Sequence, residues 1–238
     1  MKEQIERGAR AMGIALPSGA LDQFERFHQM IVEVNRHTNL TRVPDDSREA
    51  ADRHVLDSLS PLMYGLLDGA KTLIDIGSGA GFPGIPLAIA RPDLRVTLLD
   101  SQRKRVDFLN DAVRILGLNA EVVHARAEDL GKDAAYRDRF DISTARAVAA
   151  LHLLVEWALP FTKVSGALIA YKGPTLEAEI AQARRAISTL GGEIGDSYAV
   201  KIPERDWDHR LLAVRKIMPT PDGFPRKPGE AAKKPIVD

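Results

Sequence analysis

The chain has 238 residues, 45% of them hydrophobic, and its 33 Lys and Arg balance 33 Asp and Glu to a formal net charge of zero. This is enough to bury one α/β core with a small extension, and the neutral balance excludes a globally basic nucleic-acid binder, so any RNA contact must rest on local patches. The absence of cysteine excludes disulfides and thiolate metal sites; with a charged start at Met1–Arg7 and no apolar run of membrane length, the expectation is a soluble cytoplasmic protein.

In chain order, Leu21, Phe24, Phe27, His28, Ile31 and Val34 recur at three- and four-residue intervals behind Ser18, which predicts an amphipathic helix with Ser18 as its cap. A turn at Pro44-Asp45-Asp46 precedes a second helix from about Arg48 to Leu67. Residues 1–70 read as a helical extension. From Lys71 the chain alternates strand and helix, with strands expected near 72–76, 95–100, 120–125, 140–145, 166–172, 194–201 and 210–217. That alternation predicts a doubly wound, mostly parallel seven-stranded sheet over residues 71–218, closed by an antiparallel pair. The last segment, 219–238, carries five prolines and no periodicity. It is expected to be an extended basic tail unless a partner orders it.

The first strand breaks into Asp75-Ile76-Gly77-Ser78-Gly79-Ala80-Gly81-Phe82-Pro83-Gly84. Glycines so placed let a bulky cofactor lie against the main chain. The dinucleotide spacing fails, because counting from Gly77 the third glycine position holds Phe82, and the match from Gly79 to Gly84 lies too far from the strand and contains Pro83. What remains is D-x-G-x-G-x-G, the pattern that methyltransferases of this class use for the methionine end of S-adenosyl-L-methionine. The second strand ends in Asp100, where a carboxylate can accept from both ribose hydroxyls, or can simply cap the next helix. After the third strand Ala127-Glu128-Asp129 offers a small residue against an adenine and a group to read its edge. The fourth strand delivers Arg146 to the same sheet edge.

The glycine turn with its Pro-Gly-Ile-Pro-Leu continuation occurs with Asn39-Leu40-Thr41, Arg53-His54-Val55-Leu56-Asp57-Ser58, Leu98-Leu99-Asp100-Ser101, Ala145-Arg146-Ala147, Lys172-Gly173 and the tail Phe224-Pro225-Arg226-Lys227-Pro228-Gly229. Together these blocks resemble the bacterial RsmG (GidB) family over nearly the whole chain. The resemblance implies a Rossmann-like class I methyltransferase that modifies N7 of a guanine in the 530 loop of 16S ribosomal RNA, with the small ribosomal subunit as partner. It also implies that Gly77, Phe82, Ala127, Glu128 and Arg146 contact S-adenosylmethionine. The chain departs from the family pattern at Asp208-His209-Arg210, where histidine precedes arginine.

Guanine N7 carries a free lone pair and no proton, so transfer of a sulfonium methyl group needs neither a general base nor a metal, and alignment carries the catalysis. The expected cofactor contacts are Asp75, Gly77, Gly79, Phe82, Asp100, Ala127, Glu128 and Arg146, while Arg146 and Lys172 are candidates for orienting the guanine. Arg53, His54, Arg210, Arg226 and Lys227 are candidates for RNA contact. His54 and Asp57, one helical turn apart, serve equally well as a hydrogen-bonded pair tying the extension to the core, and Arg103, Lys104 and Arg105 read as a solvated helix face. A monomer is the expected state. Other readings are a methyltransferase of another RNA or a small metabolite, an NAD-dependent oxidoreductase, and a non-catalytic assembly factor that keeps the fold.

Overall fold

The computed structural model describes residues 1–38, 40–41 and 46–237, so Asn39 and the Pro44-Asp45 half of the expected turn lie outside the described residues. Strands β1 (Thr72–Ile76), β2 (Arg95–Asp100), β3 (Ala120–His124), β4 (Phe140–Arg146), β5 (Thr162–Lys172), β6 (Gly192–Val200) and β7 (His209–Lys216) form one sheet in the order β3-β2-β1-β4-β5-β7-β6. The first five run parallel, and β7 is antiparallel to both β5 and β6. β1 lies inside the sheet and is buried on both faces, as its unbroken apolar run requires, whereas the edge strand β3 is half exposed. Strand order reverses between β1 and β4, and in an open parallel sheet the crevice outside the carboxyl ends at that point receives ligands.

One face of the sheet carries α1 (Lys2–Ala11), α2 (Ala20–Asn35), α3 (Ser47–Ala50), a π-helical segment (Ala51–Leu56), α4 (Asp57–Met63), α5 (Gly84–Ala90) and α6 (Arg103–Leu116), and apolar residues of all but the short α3 share one core cluster with β1 and β2. On the opposite face α7 (Ala127–Leu130), α8 (Leu151–Ala158) and α9 (Leu176–Thr189) pack into a second cluster. The N-terminal helices therefore share a core with the sheet.

One helix was not singled out in the sequence, and two local expectations change. The first helix has no large apolar stripe to announce it: Ile5 is buried with the small residues Gly8 and Ala9, and a Cβ on Gly8 would sit 2.2 Å from a Leu56 methyl. Ser18 is not a cap, because Gly19 holds that position in a left-handed conformation (φ 81°) and no side chain caps the helix. The second helix stops at Met63, short of Leu67, where Gly65 takes a left-handed turn (φ 64°) and the Leu66 amide folds back onto the Pro61 carbonyl at 3.1 Å.

The largest correction concerns the C-terminal segment, which is packed onto the fold. Arg137 donates to the carbonyls of Thr220 (2.7 Å), Pro221 (3.2 Å) and Phe224 (2.7 Å), and the fully buried Lys216 ammonium holds Thr220 Oγ1 at 2.5 Å. Phe224 and Ile236 pack against the second core cluster, and α10 (Glu230–Lys233) follows. The prolines suit an extended strap that needs few of its own amide donors. Arg137→Ala should release this strap: with each bond from a charged donor contributing about 1.5–3 kcal/mol, tryptic cleavage at residues 226–234 should accelerate by at least about 30-fold while the remainder of the chain stays resistant. Equal cleavage rates in the two proteins would show that Arg137 does not anchor it.

Candidate functional site

The turn between β1 and α5 is stitched to β2 by backbone: the amides of Gly77 and Ser78 both donate to the Leu99 carbonyl, at 2.8 and 3.0 Å. Gly77 has a φ of 69°, and a Cβ there would stand 3.0 Å from Val148 Cγ2, so glycine keeps the floor of the crevice open. Asp100, buried at the end of β2, accepts from Gly79 N (2.9 Å) through Oδ2 and from Gln102 N (2.8 Å) through Oδ1. Of the two roles read from the sequence these contacts belong to the second: Asp100 meets the opening of the next helix and also braces the turn, with Arg105 Nη1 3.5 Å from Oδ2.

Asp75 departs from expectation. It is fully buried, lines neither hollow at the sheet edge, and its Oδ2 accepts from Gly84 N at 3.0 Å, which closes the turn onto α5. Burial pushes its carboxyl up to about 7, and its other oxygen has no partner among the described residues. Asp75 is corrected from a cofactor contact to a brace beneath the glycine turn.

Two hollows flank the turn and share Gly77 and Val148. The smaller, of about 110 Å³, is lined by Asp100, Ala127, Glu128 and Trp157; the Trp157 indole N–H is itself buried, without a partner among the described residues. The larger, an open cleft of about 1400 Å³, runs past Phe82, His54, Asp57 and Arg146 toward Tyr171, His209 and Arg210.

At the centre of the cleft Asp57, its side chain 6% exposed, accepts from Arg146 Nη1 through Oδ2 and is bonded by His209 Nδ1 through Oδ1, both at 2.8 Å. Burial alone would push this carboxyl up, but the His209 bond and the Arg146 charge outweigh it and hold the carboxyl below its ordinary range. Arg146 also donates to the Arg53 carbonyl (3.1 Å), approaches His54 Nδ1 at 3.4 Å, and lies 5.1 Å over the Phe82 ring. His54 stacks on the other partner of that pair, with ring centroids of His54 and Phe82 4.8 Å apart. Desolvation first, then the Arg146 charge, lowers the His54 pKa to about 3, so the imidazole is neutral and Nδ1 accepts.

The expected His54–Asp57 pair is thus replaced by Arg146, which stands between the two. Phe82, Gly77, Gly79, Asp100, Ala127, Glu128 and Arg146 are brought together around the two hollows. Lys172 reaches the cleft but offers no free ammonium: its side chain is 7% exposed, and Nζ donates to Glu179 Oε2 (2.7 Å) and the Ala149 carbonyl (2.8 Å). It is corrected from a guanine-orienting group to a tie between the β4–α8 loop and α9. Arg53, which also lies 5.0 Å over the Trp207 ring, and Arg210, paired with Asp208 at 2.9 Å, line the cleft. Arg226 is corrected outright, since its guanidinium is turned inward onto the buried Glu156, with Nη2 2.5 Å from Oε2. Lys227 is exposed nearby, outside the lining of both hollows.

Sequence reading missed His209, Trp157 and Glu156. The first was visible only as part of an Asp208-His209-Arg210 cluster, and the other two sit in an apolar helix with no motif of their own.

A family model described as GidB, rRNA small subunit methyltransferase G, matches residues 20–206. The proteins named ribosomal RNA small subunit methyltransferase G from Thermoanaerobacter sp. (strain X514) and Pelotomaculum thermopropionicum are 42% and 43% identical to the chain, covering 98% and 99% of both partners in each pair. Among solved structures, the chain is similar to an O-methyltransferase from Bacillus cereus in complex with SAH (TM-score 0.61, 18% identity, 91% of this chain and 100% of that one). It is also similar to the branched-chain polyamine synthase from Thermus thermophilus (TM-score 0.57, 16% identity, 87% of this chain and 66% of that one). These last two likenesses show the fold alone.

Asp57→Ala should destabilise the chain by about 3–5 kcal/mol, because it leaves the largely buried Arg146 and His209 without their common anion. The folded-state carboxyl titrates below its unfolded value, so its stabilising effect is present above about pH 4 and lost as pH falls through the folded value. Denaturant unfolding at pH 7 and at pH 3 checks both: a loss at pH 7 under about 1 kcal/mol would show that the carboxylate is dispensable.

Proposed function

The chain belongs to the rRNA small subunit methyltransferase G (GidB) family, and we propose that the methyl group it transfers from S-adenosylmethionine goes to N7 of a guanine in the 530 loop of 16S ribosomal RNA. The observation that carries this reading is the convergence of the glycine turn, Asp100, Ala127-Glu128 and Arg146 at one carboxyl edge of the sheet, with an open cleft beside them large enough for a nucleotide. S-adenosylmethionine supplies an electrophilic methyl group on a sulfonium sulfur.

The residues fit that cofactor in chemistry as well as position. Asp100 keeps lone pairs for ribose hydroxyls, Ala127 presents a small face to an adenine, and Glu128 an acceptor for its exocyclic amine. The glycine turn and Arg146 receive the methionine end. Arg146 uses three of its N–H groups on the Arg53 carbonyl, Asp57 and His54, leaving two of its five donors. Because Asp57 and the Phe82 ring fix the guanidinium, it meets its target without reorganising.

Guanine N7 attacks with its own lone pair, forming the C–N7 bond as the C–S bond breaks, so the chain need not remove a proton. Its task is to hold the reacting atoms in line and keep water out. His54, neutral and stacked on Phe82, is a wall of the cleft in this scheme, and Arg53 and Arg210 at the cleft supply cationic contacts for RNA. The lack of cysteine suits the cytoplasm as the place of action.

The test is methyl transfer from labelled S-adenosylmethionine into small ribosomal subunits, followed by borohydride reduction and aniline scission, which cut RNA at 7-methylguanine. One cut in the 530 loop is expected, and 7-deazaguanine at that position should abolish incorporation. Label that survives the replacement would sink the N7 assignment. For the cofactor, Asp100→Ala should weaken S-adenosylhomocysteine binding by at least about 1.5–3 kcal/mol, the contribution of hydrogen bonds to a charged group, as read by calorimetry; unchanged affinity would remove Asp100 from the site.

A further inference from the structure

Behind the smaller hollow the C-terminal strap makes a second buried charge pair. Glu156, whose side chain is 2% exposed, receives Arg226 in a forked arrangement, Nε to Oε1 at 2.9 Å and Nη2 to Oε2 at 2.5 Å, and the Arg226 amide adds a bond to Oε1 at 2.9 Å. The remaining arm, Nη1, donates to the Lys234 carbonyl at 2.7 Å, so one guanidinium both docks the strap on α8 and folds it back on itself. The Gly229 amide is thereby brought to Glu128 Oε1, at 3.4 Å, the same oxygen that Arg126 Nη2 reaches at 3.2 Å. Glu128 Oε1 has two donors and Oε2 has none among the described residues, while Glu128 itself is 4% exposed and lines the hollow. Trp157, the neighbour of Glu156 in sequence, lines the same hollow.

We propose that Arg226 is a positioning residue for cofactor recognition: by docking the strap on Glu156 it sets Gly229 against Glu128 and fixes which carboxylate oxygen faces the adenine edge. The inference rests on reading the smaller hollow as the adenine site. A glutamate side chain free to rotate would spread its acceptor over several directions. With Oε1 occupied from the strap and from Arg126, Oε2 is the oxygen left for an exocyclic amine, and a carbonyl at that place, as in hypoxanthine, meets only a second acceptor.

The experiment measures, by calorimetry on the full chain, the affinities for S-adenosylhomocysteine and for its inosine counterpart, which carries a carbonyl in place of the amine. Wild type should prefer the adenine compound by about tenfold or more, and Glu128→Gln should lose most of that preference. Arg226→Gln should lose much of it too, with Arg226→Lys recovering part. Glu156→Gln, which weakens the pair from the other side while leaving the strap's sequence intact, should shift the preference in the same direction and serves if the Arg226 variant folds poorly. An equal loss of affinity for both compounds in the two variants would mean that the strap only stabilises the fold, and would overturn the proposal. So would unchanged cofactor affinity with a shallower salt dependence of ribosomal-subunit binding, which would make Arg226 a phosphate contact. Failure of wild type to bind S-adenosylhomocysteine would instead overturn the functional reading on which this rests.

Discussion

The Asp57 carboxylate holds two side chains at the sheet's central crevice, the Arg146 guanidinium at the tip of β4 and the His209 imidazole at the start of β7, each at 2.8 Å. Taking an anion out of water is costly, and only the two partners together make its charged form tolerable. The consequence is geometric more than energetic: a helix that contributes nothing to the sheet is locked to two of its strands. Asp57 follows directly on a π-helical segment that contains Arg53 and His54, and such segments occur mostly at functional positions because they re-aim side chains within an otherwise regular helix. The Tyr171 hydroxyl, donating to the Ser58 carbonyl at 2.6 Å, ties the same turn of chain to β5.

The glycine turn depends on the same economy of buried charge. Asp75 and Asp100, at the ends of adjacent strands, each accept backbone N–H groups, the first from Gly84 and the second from Gly79 and Gln102. Their environments then diverge. Asp75, sealed beneath the turn with one oxygen unpartnered, is pushed up to about 7, so that a neutral acid can stand there without a counter-charge. Asp100 lines a hollow. Two carboxylates that look alike in sequence thus become a brace and a candidate ligand-binding group according to what covers them.

On the far side of the sheet, Glu156 with Arg226 and Lys216 with Thr220 do for the C-terminal segment what Asp57 does for the N-terminal helices. Residues 53–57 of the N-terminal segment reach the open cleft, and the strap passes behind the smaller hollow. A sheet presents its strand ends at one edge but does not enclose them. The N-terminal segment supplies one wall of the open cleft through Arg53, His54 and Asp57, whereas the strap touches the lining of the smaller hollow through the Gly229 amide on Glu128.

How much of this was legible follows from the range of each interaction. The seven strands, the glycine turn and the carboxylates at strand ends are local facts: apolar runs, positive φ at Gly77 and an acid at the end of β2 are written in consecutive residues, and the parallel topology then brings the tips of β1 to β4 together at one edge. Family blocks such as Arg53-His54 and Ala145-Arg146-Ala147 pointed to charged residues that the fold brings to the cleft, but not to what they touch. Partners were decided only by the tertiary structure, because a side chain's pairing is set across the fold: Asp57 meets Arg146 and His209 at separations of 89 and 152 residues, and Arg226 meets Glu156 across 70. Lys172 and Arg226 read as free cations for that reason, since a sequence shows a charge but not the carboxylate across the fold that pairs with it. The proline-rich end read as an unanchored tail on the same ground: its own residues form no periodic face, and its order comes from Arg137, Glu156 and Lys216 on the body of the protein. Local chemistry determined the elements and the glycine turn, and desolvation across the assembled core determined which charges remain available.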